Sequence, residues 1–155
     1  MTESVWDYPR PPRVDPSSEH VVVEHGGVVL ADTTKSLRVL ETSHPPTYYL
    51  PRSSFADGVL QEAQKSASWC EWKGAADYYD LVVGDVVLRS VAWTYPTPSK
   101  GFEELLDHLA LYPGRVDRCT VDGEVVEPQP GSFYGGWITS RVTGPFKGSP
   151  GTSGW

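Results

Sequence analysis

The sequence has little positive charge, few cysteines and no long apolar run. Its 155 residues include 13 lysines and arginines against 20 aspartates and glutamates, a formal net charge of -7. No window gathers enough basic side chains to neutralise several phosphates, so a long nucleic acid is excluded as a predicted partner. The two cysteines, Cys70 and Cys119, can form one disulfide at most, which excludes a zinc site of four thiolates.

The apolar runs are too short to cross a bilayer. The longest are Val21 to Val23 and Val28 to Ala31, whereas a spanning helix needs about 20 apolar residues. The start, MTESVWDY, lacks the basic flank and apolar stretch of an export signal. The sequence therefore predicts a cytoplasmic protein that makes no membrane contact, and both cysteines are interpreted as buried thiols.

The length and composition predict one domain with many turns. The 15 glycines and 14 prolines favour short elements over long helices. Residues 1–17 hold four prolines, which predicts an extended N-terminal arm held against the body by Trp6 and Tyr8. Residues 18–155 form the predicted β-rich domain, which ends in a glycine-rich C-terminal segment.

Three segments share the pattern of a β-hairpin. Residues 20–32, 78–90 and 117–128 each place Gly-Gly, Gly-Asp or Asp-Gly between runs rich in valine. Such pairs supply the positive backbone angles of tight hairpin turns, and β-branched residues favour strands. The sequence therefore predicts three hairpins in one antiparallel system.

The segments between the hairpins predict further strands and two short helices. Strands are expected at Leu37 to Val39, at Tyr48 to Leu50 and around Trp137. Residues 53–66 begin with serine caps, and residues 101–112 place Phe102, Leu105, Leu106 and Leu109 on one helical face. Both segments are predicted to be short helices.

Several spaced motifs resemble a known bacterial family. They are RVLETSHPPTYYLP from residue 38, CEWKG from residue 70, YYD from residue 78, WTYP from residue 93, LYPGRVD from residue 111 and SFYGGW from residue 132. The motifs run along nearly the whole chain, which resembles the domain-of-unknown-function family 427, often labelled nucleotidyltransferase-like. The resemblance implies a tent-like or barrel-like fold.

The fold class expected from these patterns together is all-β, or β-rich α+β, in a single compact domain of antiparallel hairpins. Many relatives in the wider tent-like group hold zinc with two CxxC pairs, and this sequence has neither pair. Neither a metal nor another cofactor is therefore predicted. Some binding domains of that group keep an aromatic cage for a small ligand, which this sequence still supports.

Aromatic side chains with polar tips are unusually frequent. Eight tyrosines and six tryptophans accompany four phenylalanines, and a core built for packing alone favours residues without polar atoms. Core packing explains some of these rings, while others are predicted to line a ligand pocket. The candidates are Tyr48, Tyr49, Trp72, Tyr78, Tyr79, Trp93 and Tyr95.

Three charged residues lie among these aromatic candidates. Arg38 and Glu41 flank the edge of RVLETSHPP, the part of the first motif that ends in the stiff corner His44-Pro45-Pro46, and Lys73 follows Trp72. One interpretation is a structural ion pair, since buried charges need partners. The other places Arg38, Glu41 and Lys73 in the aromatic cavity, where the cations bind an anionic group and the carboxylate accepts a proton.

Other motifs carry weaker functional signals. Alternation on a strand would separate Cys70 from Lys73, so Cys70 is interpreted as a structural thiol. GPFKGSPG, residues 144–151, fails the spacing of a phosphate loop, because Lys147 precedes its glycine and Pro150 lacks an amide donor. Asp77 and Asp80 are too widely spaced for a two-metal carboxylate site.

Three functions stay open on the sequence alone. The first is a module that binds a small planar or anionic metabolite in the aromatic pocket. The second is a metal-independent enzyme in the same pocket, with Glu41 and Lys73 as weak catalytic candidates, and the third is a protein-interaction scaffold. Each of these is compatible with a homo-oligomer.

Overall fold

The computed structural model describes residues 2–63, 68–70, 73–131, 134–148, 151–152 and 154–155, with only the backbone of 68–70 included. Its strands, numbered in chain order, are β1 (Glu3–Ser4), β2 (Arg13–Ser17), β3 (Val21–His25), β4 (Val28–Thr33), β5 (Ser36–Leu40), β6 (Thr47–Pro51), β7 (Leu60–Glu62), β8 (Ser68–Cys70), β9 (Gly74–Val83), β10 (Val86–Thr94), β11 (His108–Leu111), β12 (Arg118–Val121), β13 (Glu124–Val125), β14 (Glu127–Pro128), β15 (Trp137–Ile138) and β16 (Val142–Thr143). Short 3-10 turns span Val5–Asp7, Arg52–Ser54, Glu103–Leu105 and Pro113–Arg115.

The predicted β-rich fold is confirmed. The largest sheet has eight strands in the order β2-β5-β6-β11-β10-β9-β7, with β8 also paired to β9. A second sheet has the order β13-β12-β3-β4, and β14 pairs with β15. These sheets are antiparallel, whereas β1 and β16 pair in parallel. No sheet closes into a barrel in the described part of the chain, so the barrel-like form of the prediction does not apply.

All three predicted hairpins form at the expected turns. β3 and β4 meet at Gly26-Gly27, β9 and β10 at Gly84-Asp85, and β12 and β13 at Asp122-Gly123. The residues Gly26, Gly27, Gly84, Asp122 and Gly123 have positive φ, the conformation that two-residue hairpin turns require and that glycine adopts without a steric penalty.

Both predicted helices are wrong. In residues 53–66, Phe55 bridges to Ala31, Gly58 turns the chain with φ of 80°, and β7 pairs with β9, while residues 64–66 lie outside the described part. Residues 101–112 contain one 3-10 turn and then β11, which fills the gap between β6 and β10. Strand pairing in the sheet outweighs the local helical preference of both segments.

The large sheet buries residues on both faces. The main core lies between the large sheet and the β13-β12-β3-β4 sheet and includes Val21, Leu30, Leu81, Leu111 and Trp137. A second group, which we call the Trp93 cluster, occupies the opposite face and consists of Leu37, Val39, Tyr49, Ala76, Trp93, Tyr95, Phe102, Leu105 and Ala110. Alternation along each strand assigns neighbouring side chains to opposite faces.

The N-terminal residues pack against the body through short pairings. β1 pairs with β16, and β2 pairs with β5 at the edge of the large sheet. Val5 and Tyr8 are buried against Leu40 and Val142. Trp6 is 40% exposed, and its indole N–H donates to the Pro145 carbonyl at 2.8 Å. None of the described helices has the length and apolar character that spanning a membrane would take.

Candidate functional site

The predicted pocket residues lie on two faces of the large sheet. Tyr48 belongs to the main core, and Tyr79 packs against it. Tyr49, Trp93 and Tyr95 belong to the Trp93 cluster, which Tyr78 also contacts. Trp72 lies outside the described residues. The structure therefore divides the predicted set, since consecutive residues such as Tyr48 and Tyr49 face opposite sides of β6.

Arg38 lies in a buried ion-pair network. Its side chain is 4% exposed, and Nη2 donates to Glu3 Oε1 at 3.0 Å. Arg141 binds the other oxygen of Glu3 at 3.0 Å and also pairs with Glu19 at 2.9 Å. Tyr48 donates its hydroxyl to Glu19 at 2.8 Å. Arg38 is thus engaged by carboxylates of the chain itself, and the predicted association of Arg38 with Glu41 and Lys73 is not among these contacts.

Glu3 is the most strongly stabilised carboxylate of this network. Burial opposes its ionised form, but hydrogen bonds from Arg38 and Tyr8 together with the charges of Arg38 and Arg141 prevail and lower the pKa of Glu3 to about 2. Burial and the hydrogen bond to Glu3 raise the pKa of Tyr8 above its ordinary range. The ionised carboxylate is therefore matched to two guanidinium groups and a phenol.

Polar atoms of the aromatic side chains in the Trp93 cluster form hydrogen bonds inside the protein. Trp93 Nε1 donates to the Tyr49 hydroxyl at 3.1 Å, and both residues are buried. The ring centroids of Trp93 and Tyr112 lie 4.7 Å apart, and those of Tyr49 and Tyr95 lie 6.3 Å apart. These rings form a packed aromatic wall, so packing accounts for this part of the aromatic surplus.

Two glycines connect the aromatic wall to a polar group beside it. A methyl group at Gly135 would lie 2.5 Å from Cη2 of Trp93, and one at Gly136 would lie 2.5 Å from Cγ of Pro45. The loop therefore passes directly over the indole ring and against the proline corner. This path brings Tyr134 next to His44, with ring centroids 4.9 Å apart.

We call this polar group the His44 cluster, and it contains Glu41, His44, Gln129, Tyr134 and Lys147. The carboxylate of Glu41 lies 3.8 Å from Nε2 of His44, with both side chains less than a quarter exposed. Lys147 places its ammonium group 5.6 Å from the centre of the Tyr134 ring. The cluster is thus formed from the proline corner and two loops near the C-terminus.

Gln129 fixes the orientation of His44. Its Oε1 accepts the Gly136 N–H at 3.1 Å, so its amide nitrogen is the group that donates to the Lys147 carbonyl at 2.8 Å and to Nδ1 of His44 at 3.0 Å. An acceptor role for Nδ1 leaves the proton of the neutral ring on Nε2, on the side of Glu41.

Burial and surrounding positive charge keep His44 neutral. Burial is the largest cause, and the charges of Lys147, Arg10 and Lys73 add to it, which lowers the pKa of His44 to about 4. Lys73, a predicted site residue, is thus one of the charges that lower the pKa of His44. Arg10 is held nearby by the Thr42 carbonyl at 3.2 Å.

Sequence reasoning missed His44, Gln129, Tyr134 and Lys147 as a group. In the sequence His44 is marked only by its place in the proline corner, and Lys147 only by a segment that fails the spacing of a phosphate loop. His44 and Gln129 are 85 positions apart in the sequence, which leaves no spacing signal. Within the described residues there is no group of three or more histidine, cysteine or acidic side chains suited to a metal ion.

The protein should become less stable as the pH falls, because His44 resists protonation in the folded state. Its folded pKa of about 4 lies below the ordinary histidine value of 6.5, so between these values the unfolded chain binds more protons. We expect this group to lower the free energy of unfolding by about 2 kcal/mol between pH 6.5 and pH 4.5, and its contribution to be constant above pH 7.5. Urea unfolding of wild type and His44→Gln across this range measures it, and parallel pH curves for the two proteins would refute it.

Comparison with known proteins identifies the family. A sequence model of the family described as "Domain of unknown function (DUF427)" matches residues 13–122. The matched region contains β2 through β12, and therefore both Glu41 and His44. No curated protein matches the chain at a significant level. Because the match covers more than half of its length, the chain belongs to the DUF427 family.

Proposed function

We propose that this domain binds a small anionic metabolite with a planar group at the His44 cluster. The observation that carries the proposal is the placement of two cations beside His44 in a chain of net charge -7. The Lys147 ammonium group lies 5.6 Å from the centre of the Tyr134 ring, which packs on His44, and Arg10 donates to the Thr42 carbonyl at 3.2 Å and to the Ser43 hydroxyl at 3.4 Å. Cationic groups concentrated in a partly enclosed place attract an anion and form charge-assisted hydrogen bonds with it.

The aromatic surroundings of the cluster support the planar part of the ligand. The half-buried Tyr134 ring contacts both the His44 ring and the Lys147 ammonium group. An aromatic face beside cations suits a flat ligand that carries a negative charge. The Trp93 wall beneath Gly135 gives the loop a rigid base, which limits the entropy lost on binding.

Ligand screening by thermal unfolding tests the binding proposal. The panel contains phosphate monoesters, aromatic carboxylates and nucleotides, and a true ligand at 100 times its Kd adds about 2.7 kcal/mol of stability. For such a ligand, Lys147→Gln should weaken binding about tenfold, because one charge-assisted contact is lost. Lys100→Gln is the matched control, since Lys100 is exposed and lies on another loop. A panel without a hit, or equal losses in the two variants, would count against the proposal.

A second candidate function is proton transfer by a metal-independent enzyme in the same cluster. The observation that favours it is Glu41 Oε2 at 3.8 Å from Nε2 of His44, the nitrogen that bears the proton. A carboxylate base beside a neutral imidazole that donates a hydrogen bond can move a proton next to a carbonyl group. Lys73 would then hold the negative charge that develops.

Glu41→Gln separates the two functions. The change keeps the size of the side chain and removes its basicity, so binding should persist while any turnover falls by at least a hundredfold. The readout is product formation from whichever compound the thermal screen identifies. If wild type turns over no bound compound, the enzyme proposal fails and the binding proposal stands.

The location of the protein in the cytoplasm is part of the proposal. Cys119 is a buried, free cysteine, and burial raises its pKa to about 12. A thiol that stays protonated at neutral pH is chemically inert, and a reducing compartment keeps it unpaired. Cys119 therefore acts as a core residue in this proposal and takes no part in the chemistry of the His44 cluster.

A further inference from the structure

Glu41 and His44 are the first and last residues of one tight turn. The His44 N–H donates to the Glu41 carbonyl at 3.0 Å, and Ser43 has a φ of 69°. A positive φ at the third position is typical of a type II turn. The turn places the two side chains side by side, with Oε2 of Glu41 3.8 Å from Nε2 of His44.

Contacts with other parts of the chain hold this turn in its shape. Ser43 is fully buried. Its N–H donates to the Val5 carbonyl at 3.1 Å, and its carbonyl accepts the Lys147 N–H at 2.9 Å. A residue other than glycine adopts a positive φ only where its surroundings enforce it. The positions of Glu41 and His44 are therefore fixed before a ligand binds, which lowers the entropy cost of binding.

The two side chains offer one hydrogen-bond donor and one acceptor. The hydrogen bond from Gln129 to Nδ1 leaves the proton of the neutral His44 ring on Nε2, and a carboxylate can only accept. Their separation of 3.8 Å is too long for a hydrogen bond between them. Within the described part of the chain, neither atom has another hydrogen-bond partner, and the side chains of Glu41 and His44 are 24% and 13% exposed.

The cations of the His44 cluster are attached to the same turn. Arg10 donates to the Thr42 carbonyl at 3.2 Å and to the Ser43 hydroxyl at 3.4 Å. Lys147 is bonded through its backbone to Ser43 at 2.9 Å. One four-residue turn thus carries the donor and acceptor pair together with two positive charges, so a single small molecule can engage both.

We propose that the anionic ligand of the His44 cluster carries a carboxamide or lactam group on its planar part. The C=O of this group accepts from Nε2 of His44, and its N–H donates to the Glu41 carboxylate. The inference rests on the binding function proposed above. A carboxamide satisfies both atoms at once, whereas a ketone leaves Glu41 without a donor and a second carboxylate meets it with like charge.

Two matched series of aryl phosphates test the inference. The meta- and para-carbamoylphenyl phosphates carry an N–H beside a C=O, and the acetylphenyl phosphates have nearly the same shape but lack the N–H. We expect at least one carbamoyl compound to bind at least ten times more tightly than its acetyl counterpart in isothermal titration at pH 7.5, because the acetyl group cannot donate to the carboxylate.

Substitutions of Glu41 assign the preference to this side chain. Glu41→Leu removes the acceptor at a partly exposed position, so the affinity ratio of the two series should fall below about two. Glu41→Gln keeps an accepting oxygen, and its ratio should stay at about three or more, as expected for a neutral hydrogen bond.

The outcomes separate this inference from the binding proposal. Equal affinities of the two series, or a ratio that Glu41→Leu leaves unchanged, overturn the carboxamide inference while the anion site stands. If neither series binds, the inference also fails, and the wider thermal screen alone decides the binding proposal. Nitrogen NMR spectra give a check without any ligand: the proton of the neutral His44 ring should lie on Nε2, and a proton on Nδ1 removes the donor and overturns the inference.

Discussion

Arg38→Ala should lower the free energy of unfolding by about 3 kcal/mol, which corresponds to a Tm lower by roughly 6 to 12 °C. Arg38 is 3% exposed, and its removal leaves Glu3 and Glu19 with fewer compensating charges in a protected place. The guanidinium carbon also lies 5.9 Å from the centre of the Tyr48 ring, so this cation–π contact is lost as well. Urea unfolding at pH 7, followed by tryptophan fluorescence, measures the change.

Arg13→Ala is the matched control for Arg38. Arg13 pairs with Asp15 at 3.0 Å, but its side chain is 57% exposed, so its loss should change stability by less than about 0.5 kcal/mol. The difference between wild type and Arg38→Ala should also shrink as pH falls from 4.5 towards 2, where Glu3 becomes protonated and loses its charge. Equal effects of the two substitutions would show that burial does not strengthen the Arg38 network.

Gly136→Ala should cost about 3 kcal/mol and disturb the His44 cluster. The added methyl group would lie 2.5 Å from Pro45 Cγ and 2.8 Å from the Pro45 carbonyl oxygen, and 2.5 Å from Gln129 Oε1. Contacts of this kind with backbone and a rigid ring place the substitution at the upper end of overpacking costs. Displacement of Gln129 would weaken its hydrogen bond to His44, so the His44 proton signals in an NMR spectrum should shift together with the loss in stability.

Gly154→Ala is the matched control, because it lowers the conformational entropy of the unfolded chain in the same way as Gly136→Ala. A methyl group at Gly154 would meet no atom within 4 Å, and the expected change in unfolding free energy is within about 0.5 kcal/mol. If Gly136→Ala were as stable as Gly154→Ala and kept the His44 signals in place, the close approach of the loop to Pro45 would be wrong. Both proteins are compared by thermal unfolding at one pH.

The turns of this fold could be predicted because their chemistry is local. Gly26, Gly27 and Gly84 adopt the positive φ angles that such turn dipeptides favour. Residues 101–112 show the opposite case, since their leucine spacing favours a helix while the place between β6 and β10 requires a strand. Long-range pairing decides such a segment, and no spacing within it reveals the partner strands.

The candidate site was only partly accessible to sequence reasoning. Glu41 is predicted from its charge in a rigid proline-bounded corner, and its carboxylate lies 3.8 Å from Nε2 of His44. Lys73 is predicted from its charge beside Trp72, and it is among the charges that lower the pKa of His44. Arg38 was assigned to the same pocket, but its partner Glu3 is 35 residues away and reaches it through the N-terminal segment. The polar atoms of aromatic side chains also form hydrogen bonds with one another inside the protein, as Trp93 and Tyr49 show. The number of tyrosines therefore does not by itself locate a cavity.

The two adjacent tyrosines of β6 also fix the pairing register of this strand. Tyr48 donates to Glu19 on one side of the sheet, and Tyr49 accepts from Trp93 on the other. Sliding β6 by one residue would invert both side chains, which would bury each hydroxyl beside the wrong neighbours and break both bonds. A misaligned intermediate would therefore forfeit hydrogen bonds on both sides of the strand at once, and this double loss selects the native alignment during folding.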